Sequence, residues 1–231
     1  MLGLFVLEPH PTLAQAASDE QQSMVAARMH EHLTRIGTIK FAIVAGKLED
    51  VREPATWLAD HKTVEGLPAD FEPYVAQIKT YARHVIEAQD LFSAAESVSK
   101  MAKICSDCHS ANGVNLEFGY DQLPREDIED VVTHMQRHQW ATDRMWDGLI
   151  GPSDRAWSRG VDMLIDVPLL ASDVTTATDN VANIDEVARR IHVLGGIGAG
   201  TTTPDARSKL YGEVLGLCAS CHTMLGRGPL D

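Results

Sequence analysis

Two nearly identical pentapeptides, CSDCH at 105–109 and CASCH at 218–222, occur in a chain of 231 residues, at an offset of 113. Two weaker echoes lie upstream of them. ARMHEHL (27–33) resembles THMQRHQ (133–139), with Met29 over Met135 and His32 over His138 at an offset of 106. ARHVIEA (82–88) resembles RRIHVLG (189–195), with His84 over His192 at an offset of 108. Three landmarks in one order describe a tandem duplication, with loops absorbing the drift in offset.

Each copy reads as helical. In the first, Val25, Met29, His32, Ile36, Ile39 and Ile43 recur at the 3.6-residue period of one helix face, and Gly46 interrupts them. LEDVREPATWLADH supplies a short second helix. DFEPYVAQIKTYARHVIEA gives a third, with Pro73 in its first turns, where a missing N–H costs least. Leu91, Ala94, Ala95, Val98, Met101, Ala102 and Cys105 form a last stripe that runs straight into CSDCH.

The second copy repeats the plan. PREDIEDVV opens a helix at Pro124, and Val131, Met135, His138, Thr142, Met145 and Leu149 form its face. PSDRAWSRGVDMLI and IDEVARRIHVL give two more helices, and Leu210, Val214, Leu217 and Cys218 lead into CASCH. GGIGAG (195–200) and ASDVTTATDN (171–180) are expected to be a turn and a loop. No strand precedes GGIGAG and no P-loop lysine follows it in register, so it is no phosphate cradle. The expected fold is all-α: two tandem four-helix bundles, 18–122 and 123–231, joined through SANGVNLEFGYDQ (110–122).

On a helix, positions i, i+3 and i+4 project to one side. Cys105, Cys108 and His109 therefore form a single constellation, as do Cys218, Cys221 and His222. Two thiols and an imidazole so placed can bond the two vinyl groups of a haem and reach its iron from one face, which is the c-type attachment signature. A shared zinc site would need the two Cys-x-x-Cys pairs to meet in space. A thioredoxin-like pair would need a βαβ setting, which this pattern lacks. Two covalently attached haem c groups are the expectation, with His109 and His222 as iron ligands. Only nine residues follow His222, so a sixth ligand must come from earlier in the chain.

A haem-attachment motif at the end of a bundle's last helix resembles the cytochrome c prime family. Residues 20–122 and 123–231 look like two such units, specific at the attachment residues and helix order and weak elsewhere. The resemblance implies a four-helix bundle around each haem. Both units are shorter than a usual family member. The first helix also departs from the family, which sets an apolar residue or a methionine against the far face of the iron. Here a methionine is followed one turn later by a histidine.

The far-side ligands are sought on that helix. His32 and His138 are the first candidates, because a buried imidazole must find a partner for its nitrogens. Met29 and Met135 share the stripe and are the second; an open position is the third. His30 and His134 fall toward the bundle edge, and His84 and His192 sit among charged neighbours that fit a surface. His10 and His61 match no pattern. Arg28 and Arg137 could reach haem propionates but read first as solvated-face arginines, and the four tryptophans read as core or haem edge.

Leu2–Leu7 resemble the end of a signal-peptide apolar stretch and Ala14-Gln15-Ala16 a small-x-small cleavage site, although a positive n-region is missing. Residues 1–17 are accordingly set apart from the fold, and a periplasmic or otherwise exported location is expected. No apolar run reaches a membrane-spanning length. A formal charge of −13 disfavours nucleic acid and favours redox partners with basic docking faces. The expected function is one-electron transfer by a non-enzymatic di-haem cytochrome. A gas-binding haemoprotein and a di-haem peroxidase are the alternatives; the latter lacks a convincing distal acid or base, Glu31 and Gln136 being poor ones.

Overall fold

The structure, a computed structural model, describes residues 13–61, 69–114, 116–119, 123, 131–166 and 181–226. Among them there is no strand. Eight α-helices follow in order: α1 Leu13–Val44, α2 Arg52–Asp60, α3 Glu72–Glu87, α4 Leu91–Ala111, α5 Val131–Ile150, α6 Asp154–Asp166, α7 Val181–Ala199 and α8 Pro204–Leu225. A 3-10 turn, Leu48–Val51, leads into α2. The expected start at Pro124, the loop at 171–180 and the apolar stretch at 2–7 lie outside the described residues; Ala14-Gln15-Ala16 falls in the first turn of α1.

Local chemistry repeats between the two halves. The Asp90 side chain caps α4 by accepting from the Ser93 amide, and Thr203, at the offset of the pentapeptides, caps α8 by accepting from the Ala206 amide. Both helices stop at a left-handed glycine in the same register, Gly113 at φ 64° and Gly226 at φ 62°. Only a residue without Cβ takes that conformation at little cost.

The two motif-bearing helices form the centre. Ser99 meets Ser208, Lys103 meets Asp205 at 3.4 Å, Gly212 lies on the backbone of Ala95 and Glu96, and Gly216 lies under Phe92. Residue numbers fall on one helix as they rise on the other, so α4 and α8 are antiparallel. Small side chains at Ser208, Gly212 and Gly216 let their axes approach closely. α1 and α5 pack against this pair, α2–α3 flank one side and α6–α7 the other. Buried residues of both halves make one continuous core, from Ile36, Ile39 and Ile43 through Met101 and Met145 to Leu164 and Val214.

One expectation fails outright. Gly195, Gly196 and Gly198 are not a turn but part of the last turns of α7. A Cβ on Gly195 would stand 3.1 Å from Ile165, and one on Gly198 2.9 Å from Val161. The glycines let α7 lie close on α6, and tertiary packing outweighs their poor helix propensity. The Gly198 carbonyl also accepts from the Trp157 indole at 3.0 Å.

Candidate functional site

The motif residues lie on the last turns of α4 and α8, as their spacing requires. Because those helices are antiparallel, the two motifs sit at opposite ends of the central pair. Cys105 and Cys218 are separated by roughly 20 Å of helix axis, so the four sulfurs cannot share one zinc ion. All four are free thiols. Burial pushes Cys105 and Cys218 up to about 12, and it also raises Cys108 and Cys221. Burial thus favours the protonated thiol over the thiolate, which is the nucleophilic and metal-binding form.

The motif histidines are anchored reciprocally. His109 Nδ1 donates to the carbonyl of Ile150, the last residue of α5, at 2.8 Å. His222 Nδ1 donates to the carbonyl of Val44, the last residue of α1, at 2.7 Å. A carbonyl can only accept, so both rings are fixed as the Nδ1–H tautomer with Nε2 left as a lone pair. This is the arrangement that orients an imidazole for a metal. Val44 and Ile150 are themselves equivalent positions, each the last of its copy's first helix, and each half supplies the anchor for the other half's motif. No periodicity argument could have found that.

Beside the first motif lies an apolar cavity of about 610 Å³. Cys105, Cys108 and His109 form one wall, Met29 and His32 come from α1, and Trp146 and Ile150 come from α5. That volume is within the usual range for a bound cofactor. His32 is buried, and its Nε2 lies 2.8 Å from Nε2 of His61. His61 Nδ1 in turn donates to the Leu58 carbonyl at 3.0 Å, and its ring stacks on Trp57. His61 therefore accepts at Nε2, His32 donates at Nε2, and His32 Nδ1 is left as a buried nitrogen with no partner. Burial, with the charges of His61 and Arg28, lowers His32 to about 4, which keeps it neutral.

At the second motif, the surroundings of His138 include His134, His192 and His222, whose charges add to burial in holding it well below the usual histidine range. His134 is buried and its Nε2 lies 2.9 Å from that of His138. Met135 is half-buried on the same helix, and Met224 packs with Ile184 and Cys221.

Several histidine expectations change. His30 lines the first cavity, although it is exposed. His134 is inside, not at an edge, because α5 turns its 134–137–141–145 face inward. His192 is half-buried against its neighbours, whereas His84 is exposed as expected. His61, which matched no sequence pattern, supports His32. Arg28 pairs with Glu31 at 2.6 Å and lies over Trp57, and Arg137 is buried. Trp146 borders the cavity, while Trp157 is core.

Among the described residues, no helix is long and apolar enough to cross a membrane. Comparison with protein-family models, curated proteins and solved structures finds no match for the chain.

Proposed function

We propose that the protein is a di-haem c-type cytochrome that carries single electrons between redox partners. The observation that carries this reading is the twice-repeated Nδ1–H bond from a motif histidine to the terminal carbonyl of a helix in the opposite half. Thiol pairs alone would fit other chemistry. A pre-oriented Nε2 beside each pair fits an iron porphyrin, and the apolar cavity against the first motif fits its bulk.

Cys105 and Cys108 would hold one haem c through thioether bonds and Cys218 and Cys221 the other, with His109 and His222 as iron ligands. When bound, haem supplies a one-electron ferric/ferrous couple whose potential follows its axial ligands and their environment. The chain's own contribution is orientation and exclusion of water. Each carbonyl anchor fixes the motif imidazole, and residues such as Ile36 and Ile78 keep the first cavity dry. The unpartnered Nδ1 of His32 is the natural sixth ligand there, with Met29 the alternative on the same wall. On this reading the chain is two tandem four-helix units resembling cytochrome c prime whose buried faces merge into one core, and the acidic surface suits basic redox partners met outside the cytoplasm.

Mass spectrometry of matured protein tests the reading, together with absorption and electron paramagnetic resonance spectra. Two covalent haems per chain are expected, falling to one when both Cys105 and Cys108, or both Cys218 and Cys221, are replaced by serine. His32→Ala should remove one low-spin ferric signal. Matured protein without colour would overturn the assignment.

A further inference from the structure

Three imidazoles from two helices converge in the second half. His134 and His138, one helical turn apart, share a face of α5 with their Nε2 atoms 2.9 Å apart. His192 reaches them from α7, its ring centroid 6.3 Å from that of His134 and 5.5 Å from that of His138. One ligand nitrogen from each lies within 4.8 Å of the other two. His192 Nδ1 donates to the Leu164 carbonyl at 2.6 Å, which fixes the ring's orientation.

We propose that His134, His138 and His192 bind a divalent first-row transition ion of the zinc or copper type, separate from any haem iron. Imidazole nitrogens suit such ions, and a tetrahedral site with three protein ligands keeps one position open. Nitrogens at about 2.0–2.1 Å from a tetrahedral ion stand about 3.3 Å from one another, so closure needs only small side-chain rotations. The carbonyl bond on His192 supplies the orienting contact that metal-bound histidines usually have.

The first half acts as an internal control. Leu58 and Leu164 are equivalent positions, at the offset that places His32 over His138, and the carbonyl of each holds the Nδ1–H of a histidine, His61 in one half and His192 in the other. The position that corresponds to His134, however, is Arg28, a guanidinium paired with Glu31. Two imidazoles and a fixed cation repel a metal ion, whereas three imidazoles attract one. Among the described residues the site therefore belongs to the second half alone.

The matured full chain is titrated with Zn²⁺ by calorimetry and with Cu²⁺ by electron paramagnetic resonance. One equivalent of either should bind, copper more tightly, with nitrogen hyperfine structure from the imidazoles. His192→Ala and His134→Arg, the latter copying the first half, should weaken binding by more than the roughly 10–100-fold that loss of a supporting contact costs. His84→Ala, on the exposed counterpart of His192, should leave binding unchanged. Haem content and spectra of the same samples report on the haem reading independently. The proposal is overturned if the unmodified protein takes up no stoichiometric metal, a result that needs no variant to fold. It also falls if His192→Ala binds as before, or if His138→Ala removes a low-spin haem signal, which would make His138 an iron ligand.

Discussion

The two halves of this chain share a frame and differ in how they fill it. In the first, one α1 histidine leans on His61 and borders an apolar cavity; in the second, α5 brings two histidines to a third from α7. The carbonyl that orients the supporting histidine is equivalent in the two halves, Leu58 and Leu164. The histidine it orients comes from just beyond α2 in one half and from α7 in the other. The backbone acceptors coincide between the halves, while the side chains they hold arrive from different elements. Backbone geometry is held by the packing of whole helices, whereas one imidazole can be exchanged for another wherever its ring reaches the same oxygen.

The largest effect that would test this contrast is acid lability of the first site. Folding lowers His32 to about 4 from an ordinary value near 6.5, so the unfolded chain takes up the proton more readily. Above pH 6.5 the ring is neutral in both states and contributes nothing. As pH falls from there toward 4, unfolding gains about 3 kcal/mol from this group. Urea unfolding of haem-free protein at several pH values should show that slope, and His32→Leu should flatten it. A slope unchanged by the substitution would mean that the ring is already solvated.

The next effect separates the helix pairs. A Cβ on Gly160 would strike the Ala141 carbonyl and stand 2.7 Å from the Met145 amide nitrogen, so α5 and α6 touch backbone to backbone. Gly160→Ala should destabilise by about 2 kcal/mol. Gly37 on α1 has nothing within 4 Å of such a carbon, and Gly37→Ala should stabilise by up to about 1 kcal/mol. Denaturant midpoints read both, and equal shifts would erase the difference between the halves.

The smallest effect concerns the link between them. Lys40 on α1 reaches Asp143 on α5 at 2.7 Å and lies over the Trp146 ring. A double-mutant cycle with Lys40→Ala and Asp143→Ala should give a coupling of about 0.5–1 kcal/mol that fades with salt. No coupling at low salt would reduce the contact to surface decoration.

Much of the helical plan was legible in the sequence, for concrete reasons. Ile36, Ile39 and Ile43 repeat at helical spacing and are buried; Gly46 breaks the stripe and has φ 75°. The glycines at 195–198 misled, because their value lies in the approach of α7 to α6, a property of two helices and not of one. His134 misled because it sits to one side of the Met135–His138 stripe, and His192 because its neighbours are charged; only the rotation of α5 and the docking of α7 turn them inward. His61 carried no signal at all, since the carbonyl and the histidine that give it a role are supplied by folding.

By itself, the sequence determined an all-helical chain with Cys-x-x-Cys-His at the end of two of its helices. Those are short-range facts, set by side-chain periodicity along a helix and by capping chemistry within a few positions. The tertiary structure decided that α4 and α8 run antiparallel and that each motif histidine is held from the opposite half. It also decided which histidines meet. Such pairings depend on the close approach of elements far apart in the chain, as His222 and Val44 are. That approach follows from the burial of whole helix faces, and no local pattern encodes it.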